Sequence, residues 1–548
     1  MFDFDEQPLL CAYEQLFESQ QEYCSKTFVN RCLAVAKQCL EASRQQPQLV
    51  LALLSSKLLE SSPSPVCLRG ALFLSITTRR DKFNEHFAQH LIASFICTFV
   101  IMHARENYDT KPELKSLVRY FQSLGLSIWK ETIRIARLLT RRQAFRHLSS
   151  ARLSYRQQYL LSACVVARHL PHKEMLSIFR LLTHAASPNL LDTIRNWAQF
   201  PGVWLPGRVV NIDNDTAVIL VREKHKIAYL PLPANTKADT LKWARSDGIS
   251  LLKCPQSVEF KKFKKWSENL GLQAKTTMWP FTPSFALNRP PSKLLTIIDL
   301  LKGTETDITL LCEHIKQEPL LAQFLTASAS NDNRMKLPVH DVKQAVLTYG
   351  MERVGDMLIQ QALYQRLTQK KFPISSLCQR LLFLTSTLAA LISYETDANI
   401  TPQRASLLVT FAIAPIFSIT GLKIALNWRP AATHLYNPDS LAPAAERSIR
   451  QQSVQLLSGW HQSSSLLAAV NESNRLPDQC HQRIRQAVSI LGLSLSLARQ
   501  WLWNTPHYCE LTHEFDTQAK KELGIDDGLL LTIQHQLGHH IWLPLNQS

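Results

Sequence analysis

Residues Leu337–Gly350 read LPVHDVKQAVLTYG. Val339, Val342, Ala345 and Val346 recur at three- and four-residue spacing and Gly350 closes the run, so the stretch predicts a short amphipathic helix begun after Pro338. It also holds the only His-Asp dipeptide of the chain, His340-Asp341. Imidazole and carboxylate are both metal donors, but two neighbouring donors do not hold a divalent ion against water; several must converge. An Asp at the mouth of a helix has a simpler use, to cap the helix or complement its positive end. The pair reads as a helix start, and the fold is decided by the helices around it.

Those helices follow one another in a recognisable order. Upstream, RPPSKLLTIIDLLKG (Arg289–Gly303) is a proline-led amphipathic helix. DITLLCEHIKQEPLLAQFLTASASN (Asp307–Asn331) is a helix broken at Glu318-Pro319, because proline tolerates a new helix start but does not continue the old one. Downstream come RVGDMLIQQAL (Arg353–Leu363) and LLSGWHQSSSLLAAV (Leu456–Val470). This succession resembles the HDOD family of bacterial regulatory proteins, relatives of the HD phosphohydrolases, over roughly residues 285–474. In an HD enzyme the His-Asp dyad sits inside an apolar helix. The stretch matching that helix here is LVTFAIAPIFSITG (Leu408–Gly421), which has neither residue. Arg380 falls near the earlier histidine position, Arg450 near the later one, and Asn471–Ser473 replaces a histidine pair. The resemblance thus implies a non-catalytic module for signalling or gene regulation that works through protein partners such as signalling enzymes or kinases. It also makes Arg380 and Arg450 candidate contacts for a partner or an anionic ligand.

From the start to about residue 200 helical periodicity dominates, as in FVNRCLAVAKQCLEASR, EHFAQHLIASFICTFVIMHARE and SIWKETIRIARLLTRRQAF. PGRVVNIDNDTAVILVREKHKIAYLPLP then predicts two or three short antiparallel strands. The stretch from Ser187 to Val221, with Pro201, Pro206, Gly207, Val209 and Val218, resembles the tail of an HD-GYP domain. Neither a Gly-Tyr-Pro triplet nor a His-Asp pair occurs in residues 1–250, so that kinship implies a degenerate scaffold without its ligands; an unrelated helical domain is the alternative. The expected architecture is mainly α, two helical domains with a small β element between them. Its parts are a helical domain at 1–200, the β element at 201–250, a basic and proline-rich linker at 251–284, an HDOD-like domain at 285–480 and a helical extension at 481–548.

Composition bounds the partners. Sixty-one Lys and Arg against 44 Asp and Glu give a net charge of +17, which favours anionic partners. In FKKFKKW, Lys261, Lys262, Lys264 and Lys265 interleave with Phe260, Phe263 and Trp266, a pattern that suits phosphates and stacked bases as well as a solvated helix face. Arg134, Arg137, Arg141, Arg142, Arg146 and Arg152 crowd one stretch, several of them on one predicted helical face. His86 and His90, with His103 on the same helix, and His535 with His539 and His540, include pairs at metal-compatible spacing, but the H-E-x-x-H arrangement is missing. The twelve cysteines have no C-x-x-C pair and read as reduced thiols in helical cores. The longest apolar stretch, Leu407–Leu422, is short for a membrane span and contains Pro415. The acidic N-terminus lacks the pattern of a secretory signal. A cytoplasmic regulatory protein without cofactor or metal is expected, with two rivals: a nucleic-acid-binding regulator using the basic stretches, and a metal-dependent phosphohydrolase with unrecognised ligands.

Overall fold

The helix Glu85–Asn107 is apolar around its circumference, and Phe87, Leu91, Phe95, Ile96 and Ile101 are all buried. A helix of that kind must be enclosed. Lys26–Gln45, Pro65–Arg80 and Ser127–Arg134 pack against it, and Tyr155–His169 completes the group against Pro65–Arg80. The computed structural model describes residues 5–18, 22–108, 112–212, 215–223, 226–232, 241–245, 248–252, 255–270, 285–302, 307–332, 337–442, 448–504 and 509–540. Its fold is mainly α with one small sheet, and the chain divides into two compact units, Met1–Thr282 with Ile424–Leu426, and Pro283–Lys423 with Asn427–Ser548.

In the first unit the helical core is fixed by one buried carboxylate. Asp81, at the end of Pro65–Arg80, accepts hydrogen bonds from the Tyr159 hydroxyl at 2.8 Å and the Trp197 indole N–H at 3.0 Å. Burial is tolerated because the oxygen is hydrogen-bonded. The sheet has strands β1 (Val209–Ile212), β2 (Asp215–Glu223), β3 (Lys226–Pro231), β4 (Lys242–Arg245) and β5 (Ile249–Leu251), all antiparallel in the order β4-β3-β2-β1-β5. The first three are those the β-branched runs predict. The last two escape that reading because β4, KWAR, is short, basic and mostly exposed, and β5 is three residues long. Val210, Ile212, Ala217, Ile219, Ile227 and Ile249 form one buried cluster of the sheet, with Trp204 and Tyr229 packed against it. The sheet is tied to the helices by the buried Arg208, which donates to the Leu170 carbonyl at 2.5 Å, and by the Ser257 hydroxyl, which donates to the Ser55 carbonyl at 2.8 Å.

The segment expected to be a basic linker contains the helix Phe260–Asn269, which packs on Pro47–Ser55. Phe260 and Phe263 are buried, and a Cβ on Gly207, which sits at a φ of +79°, meets Ala52 and the Phe263 ring. The alternation of aromatics and lysines is thus an amphipathic helix with its aromatic side turned inward.

The second unit is all helical among its described residues. Ser375–Glu395, Pro402–Ile413 and Gln482–Trp503 pack on one another at its centre. The unit begins with a strap: Phe285 exchanges two hydrogen bonds with the Gln369 side chain, Arg366 donates to the Ala286 carbonyl at 2.6 Å, and the Trp460 indole donates to the Leu287 carbonyl at 2.9 Å. Gly459 is needed there, because a Cβ on it would stand 2.6 Å from the Asn288 carbonyl oxygen. Among the described residues two helices, Glu85–Asn107 and Ser375–Glu395, are long and apolar enough to cross a membrane. The core helices of a folded domain meet the same description, and most of the first is buried.

Candidate anion-binding groove

The helices Leu114–Ser123 and Ser127–Arg134 form a hairpin whose turn needs Gly125, at a φ of +70°. Its inner side is bolted to the core. Phe121 and Trp129 are fully buried against each other, the Trp129 indole donates to His90 Nδ1 at 3.2 Å, and Thr132 Oγ1 lies 2.9 Å from Ser94 Oγ. Burial, then the neighbouring His86, pushes the His90 imidazole down to about 4, so it is neutral at physiological pH and accepts the indole N–H. The His86–His90 pair is therefore spent on packing, with one His90 nitrogen already occupied.

The outer side of the hairpin opens into a groove of about 570 Å³ lined by Leu114, Lys115, Val118, Arg119, Ile133, Arg134 and Arg137. Half-buried Leu114 and Val118, with Ile133 buried beneath them, supply its apolar floor, and four cations complete the lining. None of the four is in an ion pair or side-chain hydrogen bond among the described residues, and all four are exposed. Two carboxylates adjoin the lining in the chain, and neither belongs to it: Glu113 accepts the Ser116 hydroxyl at 2.8 Å, and Glu131 is bound by Arg156 Nε at 2.9 Å, while the Gln157 amide holds the Glu131 backbone carbonyl. Four guanidinium and ammonium groups around a concavity with no carboxylate in its lining attract an anion, and the apolar floor favours one that carries an apolar body.

Arg134 and Arg137 were legible in the sequence as members of the arginine run; Lys115 and Arg119 were not. Their only signal is an i,i+4 pair opposite Leu117 and Phe121, which reads as any solvated helix face. The run of six arginines does not lie on one continuous helix. The helix stops at Arg134, a short helix spans Ala136–Thr140, and Ala144–His147 is a single 3₁₀ turn. Thr132, Ile133 and Ile135 are β-branched, which weakens helix continuation there.

The other candidates are scattered. Lys261, Lys262 and Lys265 are exposed on the Phe260–Asn269 helix, Lys262 pairing with Glu259 at 3.7 Å, whereas Lys264 is half-buried and pairs with Glu6 at 3.2 Å. Arg450 is held by Asp439 and donates to the Asn471 carbonyl at 2.5 Å, tying three segments of the second unit together. Arg380 is exposed on the Ser375–Glu395 helix. Asp341 occupies the N-cap position of Val342–Tyr349 without closing a capping hydrogen bond; its carboxylate meets Lys316 at 3.3 Å. The Leu408–Gly421 stretch is buried almost throughout. Among the described residues no group of three or more His, Cys, Asp or Glu is arranged to hold a metal ion; the side chains of His539 and His540 lie outside them.

The second unit holds polar clusters that sequence reasoning missed, among them one around Arg404. Arg404 donates to Ser463 Oγ at 2.8 Å and to Glu352 at 3.4 Å, beside the buried Asp356. Burial pushes the Asp356 carboxyl up to about 6 against the opposing pull of Arg404. Compared with family models, with curated proteins and with solved structures, the chain matches none.

Proposed function

We propose that the chain is a non-catalytic regulatory protein that acts by binding: the groove of the first unit takes an anionic ligand, and the HDOD-like second unit serves as a scaffold for protein partners. The observation that carries this reading is the set of four exposed, unpaired cations around an apolar floor between Leu114 and Arg137. A nucleoside triphosphate is a suitable probe, since it has both the charge and the apolar body that such a groove accommodates. In calorimetric titration the Arg134→Gln/Arg137→Gln protein is expected to bind ATP at least about tenfold more weakly than wild type, about 1.4 kcal/mol or more, the order of one or two charge-assisted hydrogen bonds. Equal affinity in the two proteins refutes the reading. The rival of a metal-dependent phosphohydrolase is tested on the same purified protein by elemental analysis and by turnover of a generic phosphodiester. A stoichiometric transition metal together with turnover would replace the binding reading.

A further inference from the structure

The groove is one end of a longer basic surface. No Asp or Glu occurs between Glu131 and Glu174, a span that holds eight arginines and one lysine. Two of those arginines are spent internally: Arg156 on Glu131, and Arg168 on the carbonyls of Leu139 and Thr140. The other six, Arg134, Arg137, Arg141, Arg142, Arg146 and Arg152, are exposed and without an ion-pair partner among the described residues. The Ala136–Thr140 helix and the Ala144–His147 turn touch each other and both pack on Tyr155–His169, so Arg137 of the groove and Arg146 beyond it stand on adjoining segments. A compact anion is satisfied by the groove alone. It leaves the remaining arginines repelling one another with no carboxylate in the whole span other than the already paired Glu131, an arrangement that a polymeric anion relieves.

We infer that this surface binds single-stranded nucleic acid, with phosphates along the arginines from 134 to 152 and bases against the apolar floor at Leu114 and Val118. The inference rests on the anion-binding reading of the groove and extends it. Guanidinium forks suit phosphate oxygens, and an apolar floor suits a base face that a duplex would keep stacked inside. A lipid surface fits less well, because the exposed large apolar residues among the described residues of this unit, Leu176 and Trp243, lie outside the 114–152 segment.

The test is fluorescence anisotropy of the full-length protein with a labelled oligothymidylate of about twenty nucleotides, beside one of about five. The longer probe is expected to bind at least about tenfold more tightly than the shorter. Its affinity should fall at least about tenfold between roughly 50 and 200 mM salt, since each phosphate contacted contributes a slope near −0.7 for single strands. The Arg141→Gln/Arg146→Gln/Arg152→Gln protein, checked by circular dichroism, is expected to lose at least about fivefold on the long probe while binding ATP like wild type. ATP binding with no gain from oligonucleotide length, or no loss in the triple variant, overturns the inference and leaves the groove reading intact; absence of both kinds of binding overturns both. A duplex of equal length bound as tightly as the single strand, or displacement of the probe at equal concentration by polyglutamate or by phosphatidylserine vesicles, also overturns it. The length and salt arms use the wild-type protein alone, so they decide the matter even where a variant is unstable.

Discussion

Asp516 sits where the helix Glu510–Leu523 packs on Gln482–Trp503, with Oδ2 receiving the Ser496 hydroxyl at 3.0 Å and Oδ1 lacking a partner. Burial pushes its carboxyl up to about 7, against the weaker opposing pulls of Ser496, Lys520 and Gln500. Because the folded value stands above the ordinary carboxylate value, the folded state holds the proton more tightly than the unfolded chain. Stability is then greatest in acid and declines as pH rises from about 4 to about 7. In urea titration Asp516→Asn is expected to raise the unfolding free energy at pH 8 by an amount on the order of 1–4 kcal/mol, and to leave it unchanged near pH 4. Asp356 acts in the same direction over a narrower range, so some slope remains in the variant. At this scale the sequence shows a side chain but not its partner. It identified Arg450, Lys264 and Asp341 as notable side chains, but their partners Asp439, Glu6 and Lys316 stand 11, 258 and 25 positions away, and no local pattern announces them.

Helices are more legible in the sequence than their joints. Amphipathic spacing places Glu85–Asn107 and Met351–Leu367 because burial of one face, or of all faces, is written into local composition. It does not place the breaks at Arg134 and Thr140, where packing on Tyr155–His169 overrides the continuity of the pattern. Gly492 shows the same limit from the other side. In the middle of Gln482–Trp503 a glycine is unfavourable by about 1 kcal/mol relative to alanine, so helix propensity alone favours substitution. A Cβ there, however, would stand 2.1 Å from the Phe515 ring, which is stacked on Tyr436 at 4.1 Å and has little room to retreat. Overpacking of that kind costs about 1–3 kcal/mol, so Gly492→Ala is expected to lower the thermal midpoint despite its better propensity, as calorimetry would register. The groove was half legible for a similar reason: its arginines cluster in the chain, but the lysine and arginine facing them come from the other arm of a hairpin.

Over the whole chain the positive charge is unevenly placed. Residues 1–282 carry 38 Lys and Arg against 23 Asp and Glu, a net of +15, whereas residues 283–548 carry 23 against 21, a net of +2. The total of +17 therefore describes the first unit almost alone, and polyanion affinity belongs to position more than to net charge. Arg134→Gln/Arg137→Gln/Arg141→Gln and Arg380→Gln/Arg429→Gln/Arg483→Gln remove equal charge from exposed sites of the two units. The first triple is expected to leave a heparin column at clearly lower salt than wild type, and the second to elute close to it. Composition exposed the basic excess but averaged away its location. The mainly helical class was available from periodicity, and the sheet from its β-branched runs.

The strap that opens the second unit carries a consequence for how the chain is made. The carbonyl of Leu287 waits for an indole 173 residues further on. At roughly 5–20 residues per second, the ribosome takes on the order of 10–35 s to supply it. During that interval the nascent strap has only its contacts with Arg366 and Gln369, 80 and 84 residues on, and contacts of such high order close slowly even once both ends exist. The strap is consequently closed late, and the interval before it is the time at which a chaperone has most to offer the growing polypeptide.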